Sequence, residues 1–221
     1  MIATLAALAL LQAPVDEGTF IVRQDTLEVA REAFRLGSGR LPSGGNGWTL
    51  ATTIRYDRAR PVVVLSPILE IAADSLPLTL QYDVADPREP VRILGQLGRG
   101  RFTVRVLARA SERAREFPAT GHTVVLDDSV FALYQIAAWF ARPEPVTLTA
   151  IVPRGGRREV LTVLDLGLAT TTINRDPVTL RHVTVTGGAN QLVHVWLTLD
   201  GRLLKVAIPA HQIVAERAPS P

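Results

Sequence analysis

Cysteine is absent from the 221-residue sequence, and lysine and methionine each occur only once. Without cysteine the chain has no disulfides, no thiolate metal ligands, no cysteine nucleophile and no cysteine for lipid attachment. The other 23 of the 24 basic residues are arginine, and the formal net charge is only +3. Because this excess of positive charge is small, nucleic acid is not expected as a partner.

Short motifs that mark common enzyme classes are missing as well. The sequence contains no Gly-x-Ser-x-Gly, no phosphate-binding P-loop and no His-Glu-x-x-His. Its carboxylates are scattered, and no pair has a spacing that suits general acid and base catalysis. We therefore predict a non-enzymatic protein without a cofactor.

The composition and the rhythm of the chain favour a β fold. Hydrophobic residues make up 47% of the sequence and charged residues 20%, which is typical of a folded globular protein. Branched and aromatic residues form short runs separated by breaks at intervals of about 10 to 12 residues, as in all-β folds. Asp200-Gly201 is the strongest hairpin signal and predicts a type I′ turn. We predict one mainly-β domain over residues 16–217, built as a single curved antiparallel sheet or an open barrel.

Residues 128–142 differ from the rest, because their pattern predicts one long apolar helix around which the sheet is wrapped. Asp127 and Asp128 provide capping groups at its start, and Arg142 followed by Pro143 marks its end. Apolar side chains fall on nearly all sides of this helix, so we predict burial on both flanks. Four aromatic residues are expected to line an apolar groove or to contact a partner: Phe131, Tyr134, Trp139 and Phe140. A simpler alternative is that the same domain covers both flanks.

Two stretches carry a resemblance to a known group of proteins. They are the opening hairpin, residues 18–22 with 28–32, and a closing stretch, residues 195–206. On these residues the chain resembles exported bacterial β-proteins of uncharacterised function, which are similar to the periplasmic lipoprotein carriers. The resemblance implies an open, strongly bent antiparallel sheet wrapped around a helix, and it transfers no catalytic residue.

The first 15 residues read as an apolar leader, either a signal peptide or an uncleaved membrane anchor. The run from Ile2 to Leu11 carries no charged side chain and is shorter than the roughly 20 residues that cross a bilayer. Pro14 follows the best cleavage residue, Ala13, and is expected to block processing there. The open alternatives are a cleavage site elsewhere, an uncleaved anchor, a start codon placed too far downstream, or an apolar element of a cytoplasmic protein. The anchor residues are predicted to be Ile2, Leu5, Leu8, Leu10 and Leu11.

A group of arginines forms the second candidate site. Residues 88–117 carry eight arginines against three glutamates, a local excess of five positive charges. Such a surface is suited to anionic lipid headgroups or an acidic partner. The alternative is a solvated strand face without a partner. The predicted contact residues are Arg99, Arg101, Arg105, Arg109 and Arg113. Arg101, Arg105 and Arg109 are predicted to lie on one face of a strand over residues 101–109.

Two histidines lie on neighbouring predicted strands, joined by Gly187-Gly188-Ala189-Asn190. A three-residue loop would place His182 and His194 directly opposite each other, whereas a two- or four-residue loop would place them on opposite faces. No third ligand lies at a suitable spacing, so no metal site is predicted.

Together these features predict a non-enzymatic accessory or structural subunit of a bacterial membrane protein complex, of respiratory or photosynthetic type. The expected location is the periplasm, in association with the inner membrane, and the expected partner is an integral membrane complex or a lipid surface. The alternative function is a periplasmic carrier or binding protein for a lipid or another apolar ligand.

Overall fold

A computed structural model of the chain describes residues 13–219, with side chains from Val15 onward. The strands in this part of the chain are β1 (Ala13–Gln24), β2 (Leu27–Arg40), β3 (Asn46–Tyr56), β4 (Val63–Ala72), β5 (Pro77–Ala85), β6 (Val91–Gly98), β7 (Arg101–Ala108), β8 (Glu112–Pro118), β9 (Thr123–Val125), β10 (Val146–Val152), β11 (Arg157–Ile173), β12 (Asp176–Gly187), β13 (Leu192–Leu197), β14 (Leu203–Ile208) and β15 (Ile213–Arg217). The α-helix α1 (Tyr134–Ala138) lies between β9 and β10, and a 3₁₀ helix (Pro209–His211) lies between β14 and β15.

All the described strands belong to one sheet, in the order β8-β7-β6-β5-β4-β3-β2-β1-β15-β14-β13-β12-β11-β10-β9. The first eight strands form a meander in one direction, and β15 returns to pair with β1. The pairing is antiparallel throughout except between β9 and β10, which are parallel. The prediction of a mainly-β chain with one large, mostly antiparallel open sheet is therefore confirmed.

Side-chain alternation explains why these segments form strands. In β13 the buried residues Val193, Val195 and Leu197 alternate with the half-buried His194 and Trp196. A strand with one buried face shows this period of two. The buried faces of the strands and the segment between β9 and β10 share one hydrophobic core.

The predicted long helix over residues 128–142 is wrong. The only α-helical residues of this segment are Tyr134–Ala138, and the surrounding backbone N–H groups, such as those of Trp139 and Phe140, bond three residues back rather than four. The expected caps are partly engaged elsewhere: the Asp127 carboxylate accepts a hydrogen bond from the Ser129 N–H but also pairs with Arg154, and Asp128 pairs with Arg157. We call residues 126–142 the central segment.

The burial predicted for this segment is nevertheless present. All residues from Val130 to Ala138 are buried. The segment bonds to two turns in the second half of the sheet: the Asn190 side chain, in the β12–β13 turn, donates to Tyr134 Oη at 2.8 Å, and the amide of Gln135 donates to the Gly201 carbonyl oxygen, in the β13–β14 turn, at 2.7 Å. An irregular backbone is tolerated inside the domain because tertiary partners satisfy its polar groups.

The Asp200-Gly201 hairpin is present, but its turn differs from the predicted type. Only Gly201 has a positive φ, of 86°, and the Thr198 N–H donates to the Arg202 carbonyl oxygen at 2.9 Å. Three residues therefore form the loop, and the extra residue is absorbed by a register shift between Trp196 and Leu197. A glycine with positive φ after a type I turn is the usual arrangement for this loop length.

The turns define two ends of the sheet. The upper end carries the start of β1 and the β13–β14 turn, and the lower end carries the β1–β2 turn and the 3₁₀ helix, where the Asp25 N–H donates to the Gln212 carbonyl oxygen. Strand β1 begins at Ala13, within the predicted leader, and pairs there with Ser38. The predicted anchor residues Ile2, Leu5, Leu8, Leu10 and Leu11 lie outside the described residues. Within residues 13–219, no helix combines the length and the apolar character needed to cross a membrane.

Candidate functional site

An ion pair between a buried carboxylate and an exposed guanidinium fixes the lower half of the central segment. The Asp127 carboxylate accepts two hydrogen bonds from the Arg154 guanidinium, at 2.8 and 2.9 Å, and one from Tyr82 Oη at 3.0 Å. Tyr56 Oη donates to the Ser129 carbonyl oxygen at 2.7 Å. Because the tyrosines come from β5 and β3 and Arg154 from the β10–β11 turn, these bonds tie the segment to both halves of the sheet.

The cap of the central segment is a glutamate from a distant strand. Glu32, fully buried on β2, accepts hydrogen bonds from the Phe131 N–H at 2.8 Å, the Ala132 N–H at 3.0 Å and Thr52 Oγ1 at 2.8 Å. Burial raises the pKa of Glu32 to about 7, against the three hydrogen bonds, which lower it, while the nearby charge of Asp127 adds to the rise. This carboxylate therefore positions the segment that forms the floor of the groove described next.

At the upper end, the central segment and the surrounding strands enclose a groove of about 600 Å³. Its apolar walls include Val15 from β1, Leu36 from β2, Trp48 from β3 and Trp139 from the central segment. The two indole rings have centroids 5.3 Å apart and planes inclined by 53°. Six of the twelve lining residues are polar or charged, so the aromatic and aliphatic wall suits the apolar part of a ligand that also carries polar groups.

A polar atom in the groove wall lacks a partner. Gln135 lines the groove and is only 6% exposed. Its Nε2 donates to the Gly201 carbonyl oxygen, whereas its Oε1 accepts no hydrogen bond from any described residue. A buried acceptor without a donor is unfavourable. A ligand with a hydroxyl or N–H group near this oxygen would remove that cost.

Each acidic side chain around the groove forms an ion pair with an arginine. Three ion pairs join Asp16 to Arg217, Asp165 to Arg181 and Asp200 to Arg202, with N–O distances of 2.7, 2.7 and 3.0 Å. Since each carboxylate has an arginine beside it, the groove shows no excess of either sign at these positions. The lining therefore carries no net charge that would select an anion or a cation.

The four predicted aromatic residues do not act as one group. Phe131 and Tyr134 lie wholly in the core. Trp139 is half-buried and lines the groove, while the half-buried Phe140 packs edge-on against His122 with ring centroids 5.8 Å apart. The structure therefore brings one of the four, Trp139, to the groove.

Sequence reasoning missed the residues that complete the groove. Trp48 lies 91 positions before Trp139, and Gln135 was hidden among the apolar residues of the predicted helix. A usable signal existed in the rarity of tryptophan, since two of the three tryptophans of the chain meet here. No spacing rule links positions so far apart, because the sheet order brings them together.

Two of the predicted arginines form ion pairs across neighbouring strands. On the outer face of the sheet, Arg101 Nε lies 2.8 Å from Glu116 and Arg105 Nη2 lies 2.5 Å from Glu112. Both pairs are exposed, so each contributes little to stability. These two positive charges are nevertheless largely neutralised by β8.

The other predicted arginines occupy different places. Arg99 lies in the β6–β7 turn, and Arg109 follows the end of β7, so it does not continue the strand face of Arg101 as predicted. Arg113 is paired in register with Val106, which places it on the opposite face of the sheet from Arg101. Arg99, Arg109 and Arg113 are exposed, and no acid within residues 15–219 forms an ion pair with them.

The two histidines share the outer face of the sheet as diagonal neighbours. His182 is opposite Trp196, and His194 is opposite Thr184. Both predicted arrangements, directly opposite and on opposite faces, are therefore wrong, because the actual register offsets the two residues by two positions. His182 Nε2 lies 2.8 Å from His194 Nδ1, and the His182 ring stacks on Trp196 at a centroid distance of 3.9 Å.

This pairing favours the neutral form of His182. Burial lowers the pKa of His182, the charge of His194 lowers it further, and Asp165 opposes both effects. Within the part of the chain that the structure describes, no group of three or more His, Cys, Asp or Glu residues is arranged to hold a metal ion.

Comparison with known proteins identifies the fold. No protein-family model matches the chain, and no curated protein matches it. Among solved structures, it is similar to a beta-barrel-like protein of domain of unknown function DUF1849 from Brucella abortus, with a TM-score of 0.56. The similarity covers 91% of this chain and 94% of that chain, at 12% sequence identity.

The match shows the fold alone. It places the chain beside a bacterial β-protein of unknown function, which agrees with the coarser part of the resemblance inferred from the sequence. The resemblance to lipoprotein carriers and the export of the chain stay predictions.

Proposed function

We propose that the chain is a non-enzymatic periplasmic binding protein that holds an apolar ligand, such as a lipid, in the groove that Trp48 and Trp139 line. The observation that carries this proposal is the groove itself, with a volume of about 600 Å³ and two indole rings 5.3 Å apart. Each methylene group transferred from water into such a site contributes about 0.8 kcal/mol. Micromolar affinity, about 8 kcal/mol, therefore requires burial of at least about ten methylene groups, the length of a medium acyl chain.

The polar features of the groove define the other part of the ligand. Gln135 Oε1 has no donor, so a hydroxyl or amide N–H attached to the apolar body would be recognised there. The ion pairs Asp165–Arg181 and Asp200–Arg202 balance each other's charge. A neutral lipid with hydroxyl groups, such as a monoacylglycerol, combines both properties.

The test is titration of the protein with a monoacylglycerol brominated on its acyl chain, with tryptophan fluorescence as the readout. Bromine quenches an indole on contact, so Trp48 and Trp139 should be quenched while Trp196, on the outer face, should not. Substitution Trp139→Ala should weaken binding by about tenfold or more, because it removes a buried aromatic contact. Trp196→Ala is the matched control and should leave the affinity unchanged.

Two results would contradict the proposal. One is quenching that saturates equally in the wild type and in Trp139→Ala. The other is a loss of signal only in Trp196→Ala, which would place the ligand on the outer face. Circular dichroism of each variant checks that it is folded.

A role as accessory subunit of a membrane complex is the second candidate, and one observation favours it. Arg99, Arg109 and Arg113 are exposed and have no acidic partner among the described residues. An acidic surface of a membrane protein complex would complement them. Charge reversal at Arg109 and Arg113 should then abolish co-purification with such a complex, whereas Arg158→Glu, an exposed change on β11, should not.

A further inference from the structure

Large exposed apolar side chains collect at the upper end of the sheet. Leu199 is 83% exposed, Leu168 61%, Leu166 51% and Val15 46%. Isolated exposed leucines are common on protein surfaces, but a cluster of them marks an interaction site. We therefore treat these four residues as one candidate interaction site.

Three of the four lie beside the groove, and Leu166 precedes Leu168 by two positions on β11. Val15 is part of its wall, and Leu199 directly precedes the lining residue Asp200. Leu168 is opposite Arg181 in the β11–β12 register, so its side chain is on the same face as that lining residue. We call Val15, Leu166, Leu168 and Leu199 the apolar rim.

We propose that the upper end docks on a lipid bilayer, with the apolar rim inserted into the interface and the groove open towards the lipids. The proposal rests on the function proposed above, since it supplies the route by which a lipid would enter the groove. Leucine and valine side chains at the headgroup boundary gain from burial of apolar area, as interfacial membrane proteins do.

The charges around the rim identify the kind of surface that fits. Asp16 is paired with Arg217, Asp165 with Arg181 and Asp200 with Arg202. Docking through the apolar rim itself therefore does not require anionic lipids and depends little on salt. Docking through an unpaired arginine such as Arg109, which lies at the lower end, would behave in the opposite way, because exposed positive charges are screened by salt.

The sequence before β1 is consistent with docking through the upper end. Residues 2–11 are uncharged and apolar, and they precede β1, whose first residues pair with Gly37 and Ser38 at the upper end. A run of this kind, if retained, joins the domain at the same end as the rim. The rim and the run would then contact one membrane.

The absence of cysteine makes the test direct, because one introduced cysteine carries one label. The full chain would carry an environment-sensitive NBD dye at Leu199→Cys, at the upper end, or at Leu27→Cys, an exposed residue at the lower end. A third label, at Gln96→Cys, reports on the arginine face, by which we mean the outer face of β7 with Arg101 and Arg105. Gln96 is opposite Thr103, which lies between these two arginines. Each protein is mixed with vesicles of phosphatidylcholine alone or with 30% phosphatidylglycerol, at low salt and in 0.5 M NaCl.

The expected result is a severalfold rise of NBD emission at position 199 with both vesicle types and at both salt concentrations, without a rise at position 27. Replacing Leu168 and Ile68 by Asp one at a time provides the matched pair. Leu168→Asp should weaken vesicle binding by about tenfold or more, and Ile68→Asp, an exposed apolar residue on β4, should not.

Three results would overturn the proposal. The first is a silent label at position 199 while the protein sediments with vesicles, because another part of the chain then makes the contact. The second is a rise at position 96 that needs anionic lipid and disappears in salt, which assigns docking to the arginine face. The third is equal binding of Leu168→Asp and the wild type. Quenching by brominated monoacylglycerol, measured in parallel without vesicles, separates failure of docking from failure of the groove.

Discussion

Replacing Glu32 by Gln tests the cap of the central segment. The Glu32 carboxylate is fully buried and accepts bonds from the Phe131 and Ala132 N–H groups and from Thr52. In the amide, Nε2 takes the place of one acceptor oxygen, so at least one of these donors loses its partner. A buried donor without a partner costs about 1–3 kcal/mol.

The same residue makes stability depend on pH. Burial raises the pKa of Glu32 from 4.5 to about 7, which corresponds to about 3 kcal/mol between the two protonation states. The folded protein holds this proton more tightly than the unfolded chain does. The free-energy contribution is therefore complete below pH 4.5 and is lost as pH rises through 7.

The assay is urea unfolding followed by tryptophan fluorescence at intervals from pH 5 to pH 9. The wild type should lose about 3 kcal/mol from this group across the range, and Glu32→Gln should lack that part of the slope. Its deficit should therefore be largest at pH 5 and shrink towards pH 9. His182, whose pKa is lowered, contributes with the opposite sign, but it is present in both proteins and cancels in the difference. Parallel profiles of the two proteins would refute the reasoning.

Three further predictions concern packing and charge. Gly95→Ala should destabilise the protein by about 1–3 kcal/mol, because the added Cβ would lie 2.6 Å from the Phe102 ring. Gly98→Ala, where the Cβ would meet open space, should change stability by less than about 0.5 kcal/mol. Equal melting curves of the two variants would contradict this. Arg154→Ala should cost about 1–3 kcal/mol, because the buried Asp127 carboxylate loses its guanidinium and keeps only the bonds from Tyr82 and the Ser129 N–H. Arg105→Ala, which breaks an exposed pair, should cost less than about 1 kcal/mol. Equal losses in denaturant unfolding would contradict this. His194→Ala should raise the pKa of His182 in an NMR titration, since one of its two lowering influences is removed, and an unchanged midpoint would argue against the coupling.

The sheet could be predicted from the sequence because the patterns that specify its strands and turns extend over only a few neighbouring residues. Alternation in segments such as Leu192–Leu197 and the turn residues Asp200-Gly201 act over a few positions, and the strands and the hairpin are present. The central segment could not be predicted in the same way. Its capping signals were genuine, but Arg154 and Arg157 recruit Asp127 and Asp128, and Glu32 from β2 takes over the cap. Tertiary partners override local helix signals when they satisfy the same backbone groups.

The candidate groove depends even more on long-range order. Trp139 was predicted as a groove residue from the sequence. Trp48 and the unpaired acceptor of Gln135 could be recognised as groove residues only from the structure, where β3, the central segment and the β13–β14 turn come together. The arginine face shows the same limitation. Its charges are evident in the sequence, but the pairing of Arg101 and Arg105 with glutamates of β8 follows from the strand register.

The most direct test of the central claim, that the groove holds an apolar ligand, is native mass spectrometry of the protein isolated from its own cells in mild detergent. The wild type should carry an additional small mass that organic solvent extracts as a lipid. The Trp48→Ala, Trp139→Ala double variant, isolated in the same way, should have the mass of the bare chain. Wild type and variant that both lack the additional mass, or both retain it, would contradict the account.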